Sequence, residues 1–255
     1  MPNIQVISKE HHGDKRWKRF SNFSFAAADA LCGVVVQELP RAIMSLPVGF
    51  IPFEQGYTPV AVLGLEPGKN LLVGPDQQWR GRYIPEAYRC HPFVLANSSD
   101  DKRILCIDED SNSATDDDEG EAFFDDDGEV TQTITDILTF LDRNAGNKIQ
   151  TKSICESLQR HELIEPWPIT VQIDAKNREV NGIFRINETA LNALSRSALK
   201  ELRDNRALVV IYCQLLSMAH LQNLVQLAQG TPQASTKELD FDSFDEGGSL
   251  NFDNL

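Results

Sequence analysis

Between Asp116 and Glu129, nine of fourteen residues are carboxylates and none is a cation. Such a run stays in water, because burying an unpaired carboxylate costs far more than local packing returns. It therefore forms a surface segment that divides the chain into two halves of different hydrophobic rhythm. Before it, short apolar runs alternate with turn residues: "GVVVQEL", "VGFIPF", "TPVAVLGL", "NLLVG" and "RILCID". Each reads as a strand, and together they predict an antiparallel meander. "EPGKN" supplies a tight turn, with Pro67 presetting φ and Gly68 free to take positive φ. "GPDQQWRG" supplies another, with Trp79 as its packing anchor.

After the acidic run the rhythm turns helical. Ile134, Ile137, Leu138 and Leu141 share one face of "TQTITDILTFLDRN". "TKSICESLQRHELI" predicts a second helix capped by Thr151. "EPWPITVQID" and "REVNGIFRI" predict a β-pair joined by "AKN". "NETALNALSRSALKELRDN" opens on Asn187 as an N-cap, and "ALVVIYCQLL" fits strand or helix. "SMAHLQNLVQLAQ" is helical and stops at Gly230, with Pro232 just beyond. The expected fold is α+β. An antiparallel, β-rich N-terminal part and a helical, mixed C-terminal part form a single compact unit over residues 1–230. Residues 110–122 are expected to be a flexible acidic insertion, "AFFDDDGE" a hairpin with an Asp-Gly turn, and 231–255 a disordered acidic tail.

The net charge of -14 is confined to two segments. The tail from Glu238 adds six carboxylates to the nine above, so the remaining residues sum to about +1. No basic face is evident, which argues against a nucleic-acid partner. The N-terminal residues "MPNIQVISKEHHGDKRW" contain no apolar h-region, so no secretory signal is expected. The most apolar stretch, Ala207 to Leu227, is interrupted by Gln214, Ser217, His220 and Gln222, a poor pattern for a membrane span. Five widely spaced cysteines fit buried free thiols better than a disulfide framework. These features predict a soluble, cytoplasmic chain.

Three segments are candidates for function. "GRYIPEAYRCHPFVL" concentrates aromatics, arginines and a Cys-His step between two prolines. Its Arg82, Tyr83, Tyr88, Arg89, His91 and Phe93 are candidate ligand- or partner-binding residues, and Arg80 joins the arginines able to grip a carboxylate or phosphate. The bland alternative is a structural elbow in which Tyr83, Ile84, Tyr88 and Phe93 fill the core. Cys90 and His91 are sequence neighbours, which in extended chain point to opposite sides, so their adjacency argues against pairing as nucleophile and base. Asp108, Asp110, Asn112, Asp116 and Glu119 fall at calcium-loop spacing, but Ser113 stands where the sharp turn needs glycine and a strand precedes the loop. No metal or cofactor is therefore assigned. His11 and His12 with Asp14 lack any supporting ligand spacing. In the tail, "FDSF" and "FDNL" repeat a Phe-Asp pattern, and Phe241, Phe244, Phe252 and Leu255 are candidate docking residues for a partner protein or for the chain's own body. GxGxxG, P-loop, GxSxG and HExxH motifs are absent from the sequence.

The segments "AVLGLEPGKNLLV", "GRYIPEAYRCHPFVL", "ILCIDED", "FFDDDGE", "SICESLQRHELIEP", "VNGIFRINETALNALS" and "IYCQLLSM", in this order and spacing, resemble the SapC family of bacterial proteins from roughly His12 to Leu227. The acidic insertion after Asp110 and the Phe-Asp tail depart from it. The family's name comes from surface-layer loci, and members often lie near genes for outer-membrane receptors or peptide-modifying enzymes. The resemblance implies no catalytic residue set. It is unrelated to the integral-membrane permease that shares the name. The expected function is a soluble, non-catalytic accessory protein holding an unidentified protein or peptide partner. The alternatives are a peptide-directed enzyme with a cleft near Cys90 and His91, or a surface-layer-associated structural protein.

Overall fold

The computed structural model describes residues 3–97, 102–111, 113–116, 119–173 and 176–230. Asn112 of the calcium-loop candidate and the tail residues Phe241, Phe244, Phe252 and Leu255 lie outside the described residues. Numbered in chain order, the strands are β1 (Ile4–Val6), β2 (Arg16–Trp17), β3 (Leu31–Gly33), β4 (Val48–Phe53), β5 (Gly56–Val62), β6 (Phe93–Asn97), β7 (Arg103–Asp108), β8 (Ala114–Thr115), β9 (Glu121–Ala122), β10 (Ile164–Pro166), β11 (Ile169–Ile173), β12 (Lys176–Val180) and β13 (Phe184–Ile186). The helices are α1 (Lys9–His12), α2 (Leu39–Ala42), α3 (Glu86–Arg89), α4 (Gln132–Arg160), α5 (Glu188–Asn192), α6 (Arg196–Asp204), α7 (Ala207–Ser217) and α8 (Leu221–Ala228).

The architecture is α+β, with antiparallel sheets throughout. The main sheet runs β10-β13-β4-β5-β3. Two three-stranded sheets, β1-β7-β6 and β8-β2-β9, and the β11-β12 hairpin complete it. The N-terminal strands are thus not one meander. The C-terminal pair β10/β13 extends the N-terminal sheet through Phe184 opposite Phe50. An edge of β4 left bare would expose unpaired backbone groups. Gly49 makes the approach possible, since a Cβ there would lie 2.5 Å from Ile183 Cγ2.

Two of the expected strands are absent. "GVVVQEL" leaves the sheet after Gly33 and turns into α2, and "NLLVG" is a turn held by the Val73–Trp79 bridge. The two expected central helices are one, because Gly146 costs only about 1 kcal/mol inside a helix and no proline interrupts it. Thr151 is accordingly a mid-helix residue. Its Oγ1 accepts from Val36 N–H at 3.0 Å and donates to the Asn147 carbonyl at 2.8 Å, fixing α4 to the chain leaving β3. Lys176 and Asn177, expected in a turn, belong to β12. "AFFDDDGE" does close as a turn: Gly128 takes φ +75° and Asp125 N–H bonds the Glu129 carbonyl at 2.8 Å.

α4 spans two cores. Its C-terminal half packs Ile154 and Leu158 with Phe50, Leu163, Ile186 and Ile211. Its N-terminal half brings Ile134 to Trp17, Phe93, Ile107 and Phe123. At about 1.5 Å per residue the 29-residue helix is long enough to reach from one to the other.

Candidate functional site

The elbow is built around a buried carboxylate. Glu38 is 1% exposed, and its oxygens accept from Val35 N–H, Tyr83 Oη–H and Glu86 N–H, each at 2.9 Å. Burial raises its pKa, while the three hydrogen bonds favour the ionised form. The second buried carboxylate, Glu86, accepts from Asn144 Nδ2 at 3.2 Å, which ties the one-turn helix α3 to α4. Arg89 lies 3.9 Å from Glu86, stands 5.0 Å over the Tyr83 ring and donates from Nε to the Ile84 carbonyl at 3.0 Å. Tyr88 donates from Oη to Asp29 at 2.9 Å, and burial is the largest cause raising the pKa of both tyrosines. Trp79 Nε1 bonds the Tyr83 carbonyl at 3.1 Å, and Gly81 leaves room for it: a Cβ there would lie 2.8 Å from that nitrogen.

The six predicted elbow residues do not form one site. Tyr83, Tyr88 and Arg89 belong to the buried network. His91 stacks on Phe25 at 3.8 Å, beside Phe20. Phe93 enters the second core, edge-on to Trp17 at 4.8 Å. Arg82 is exposed. The His91–Pro92 peptide is cis. Burial pushes the Cys90 thiol up to about 11 and lowers the His91 imidazole, so neither moves toward the thiolate–imidazolium state of a catalytic pair. Cys32 and Cys155 are pushed up to about 12 by burial.

Three of the calcium-spaced carboxylates have protein partners. Asp108 Oδ1 accepts from Asp110 N–H at 3.2 Å, Asp110 Oδ2 accepts from Asn3 N–H at 3.1 Å, and Glu119 pairs with Lys18 at 3.0 Å. Among the described residues no three His, Cys, Asp or Glu side chains gather to hold a metal. His12 is buried, with its ring 5.1 Å from Phe123.

The C-terminal helices show the opposite arrangement. The inner face of α7 buries Val210, Ile211, Gln214 and Ser217. Gln214 Nε2 donates to the Val48 carbonyl at 3.1 Å and its Oε1 accepts from Ile186 N–H at 2.9 Å. Ser217 Oγ accepts from Val48 N–H at 2.9 Å. The outer face leaves Val209, Tyr212 and Leu216 in solvent at 44%, 55% and 69% exposure. The expected residue set omitted these three. Their signal was the apolar run "ALVVIYCQLL" itself: wound as a helix, it is apolar all round and exceeds what one core-facing stripe requires. By length and composition Ala207–Ala228 is also apolar enough to cross a membrane, at mean hydropathy 1.5. Beside α8, a groove of about 460 Å³ opens between that helix and β11.

A family model described as SapC matches residues 7–224 of the chain. No curated protein and no solved structure gives a significant match.

Proposed function

The chain belongs to the SapC family, and on that premise we propose that it is a cytoplasmic, non-catalytic accessory protein that holds a protein or peptide partner. One observation carries this reading: the solvent-facing stripe Val209, Tyr212 and Leu216 on α7. Full burial of each such side chain is worth about 1.5–3 kcal/mol, and the stripe sits on a helix locked from behind by Gln214 and Ser217. A rigid, apolar, aromatic-bearing face is what a partner's anchors fit. The neighbouring α6 exposes Arg196 and Lys200, while its Arg203 pairs with Asp204 at 2.9 Å; the two exposed cations favour a partner with acidic flanks.

The test places a photo-crosslinking residue at Val209, within the stripe, in the parent chain and in Tyr212→Arg/Leu216→Arg. A protein crosslinked to the parent and lost in the double variant, with unchanged circular dichroism, supports the reading. Equal crosslinking in both, or binding of the parent to protein-free lipid vesicles in place of protein, overturns it.

A further inference from the structure

We propose that the groove between β11 and α8 is a docking site for an extended peptide, and that its occupant is the chain's own segment Leu239–Phe244. The groove is of mixed character: Met218, Leu221 and Val225 line it together with the polar Thr170, Gln172, Gln222 and Gln229. Its volume of about 460 Å³ accommodates one or two large apolar side chains.

One wall of the groove is a strand edge. β11 pairs with β12 from Ile169 opposite Val180 to Ile173 opposite Lys176, and among the described residues no strand pairs with its other side. The Gln172 carbonyl turns toward that other side, where it accepts from Gln229 Nε2 at 2.9 Å. Backbone direction alternates with period two along a strand, so the N–H and C=O of Thr170 face the same way. A peptide laid there gains backbone hydrogen bonds from the edge and apolar contacts from the part-exposed Met218 and Leu221, the arrangement of β-strand addition.

The sequence supplies a matching strand. "LDFDSF" (239–244) and "LNFDNL" (250–255) repeat one pattern eleven residues apart. Leu239 and Phe241 alternate with Asp240 and Asp242, and Leu250 and Phe252 alternate with Asn251 and Asp253. In a strand this puts Leu239 and Phe241 on the face toward the groove and Asp240 and Asp242 on the opposite face, toward water. The reach is short. Gly230 directly follows Gln229 of the groove rim, and nine residues of extended chain from Gly230 to Leu239 cover about 30 Å. Tethering at that length gives an effective concentration in the millimolar range, enough to fill a weak site. The first copy is the nearer, and it is the assigned occupant.

The experiment uses a fluorescent peptide of residues 237–246 and three full-length proteins. These are the parent, a tail variant with Leu239, Phe241, Leu250 and Phe252 each changed to Ser, and that variant carrying Ala219→Trp. Ala219 lines the groove and is exposed, so the indole fills it without entering the core. The tail variant is expected to bind the peptide, the parent at least about tenfold more weakly because its own tail competes, and the Ala219→Trp protein not detectably. Equal affinity for parent and tail variant, no binding by the tail variant, or binding untouched by Ala219→Trp at unchanged melting temperature overturns the proposal. A parent that is dimeric by light scattering, with the dimer lost in the tail variant, also overturns it by placing the tail in a second copy. The Tyr212→Arg/Leu216→Arg crosslinking result reads a different face and is independent of these outcomes.

Discussion

At the elbow, polar groups lie inside and are satisfied; on α7, apolar groups lie outside and are not. Glu38, Glu86, Tyr83 and Asn144 form a closed hydrogen-bonded set whose members hold one another, the starts of α2 and α3 and the interior of α4. Val209, Tyr212 and Leu216 touch water although the rest of their helix is fixed to the sheet. Residue chemistry alone would rank these regions the other way, because carboxylates, tyrosines and a Cys-His step look like a site and a run of valine and leucine looks like core. The difference shows that a polar side chain signals function only when its bonding capacity is unspent, and an apolar one when its burial is incomplete.

The contrast can be broken by substitution, beginning with the largest effect. Glu38→Ala strands three donors in the interior and should destabilise the protein by about 3–5 kcal/mol in urea unfolding. A loss under about 1 kcal/mol would mean the elbow is not held by this carboxylate. Next, Gln214→Leu on the inner face of α7 should cost about 1–3 kcal/mol, since Ile186 N–H and the Val48 carbonyl lose their partner. A neutral result would show that α7 is positioned by apolar packing alone.

A smaller effect is expected at His91. Burial, opposed by the Asp108 carboxylate, lowers its folded-state pKa below 6.5. The unfolded chain therefore binds a proton first as pH falls. This contribution to stability is whole above 6.5 and is lost as pH drops through that value toward the folded one. The urea midpoint should fall between about pH 7.5 and 5.5, and fall less in His91→Phe. Identical slopes would remove His91 from the elbow's energetics. The smallest effect belongs to Leu216→Arg, which should change stability by no more than about 0.5 kcal/mol while weakening partner capture. A loss of several kcal/mol would show that the outer face of α7 is core after all.

Much of the fold was legible locally. The Phe50 and Ile107 strands, the Asp-Gly turn at Gly128, the Asn187 cap and the Gly230 stop each depend on a few adjacent residues, and each formed as expected. Expectations failed where a distant partner decided. Val34 to Val36 has strand composition, yet Val36 N–H goes to Thr151 of α4 instead of a ladder. Thr151 has the chemistry of a cap, yet an uninterrupted α4 placed it mid-helix. Of the elbow, its existence was readable from Pro85 and Pro92. The division of its aromatics between two cores was not, because that depends on where Trp17 and Phe25 arrive.

The sequence by itself determined the α+β class, the acidic surface run, most element types and the family pattern, because these follow from short-range propensity, periodicity and solvation. Only the tertiary structure decided that β13 completes the sheet beside β4, that Glu38 is a structural hub, and that one face of α7 stays in water. Those outcomes depend on contacts between residues up to 169 positions apart, as between Val48 and Ser217, whose cost in chain entropy is met by the fold as a whole and not by any local segment.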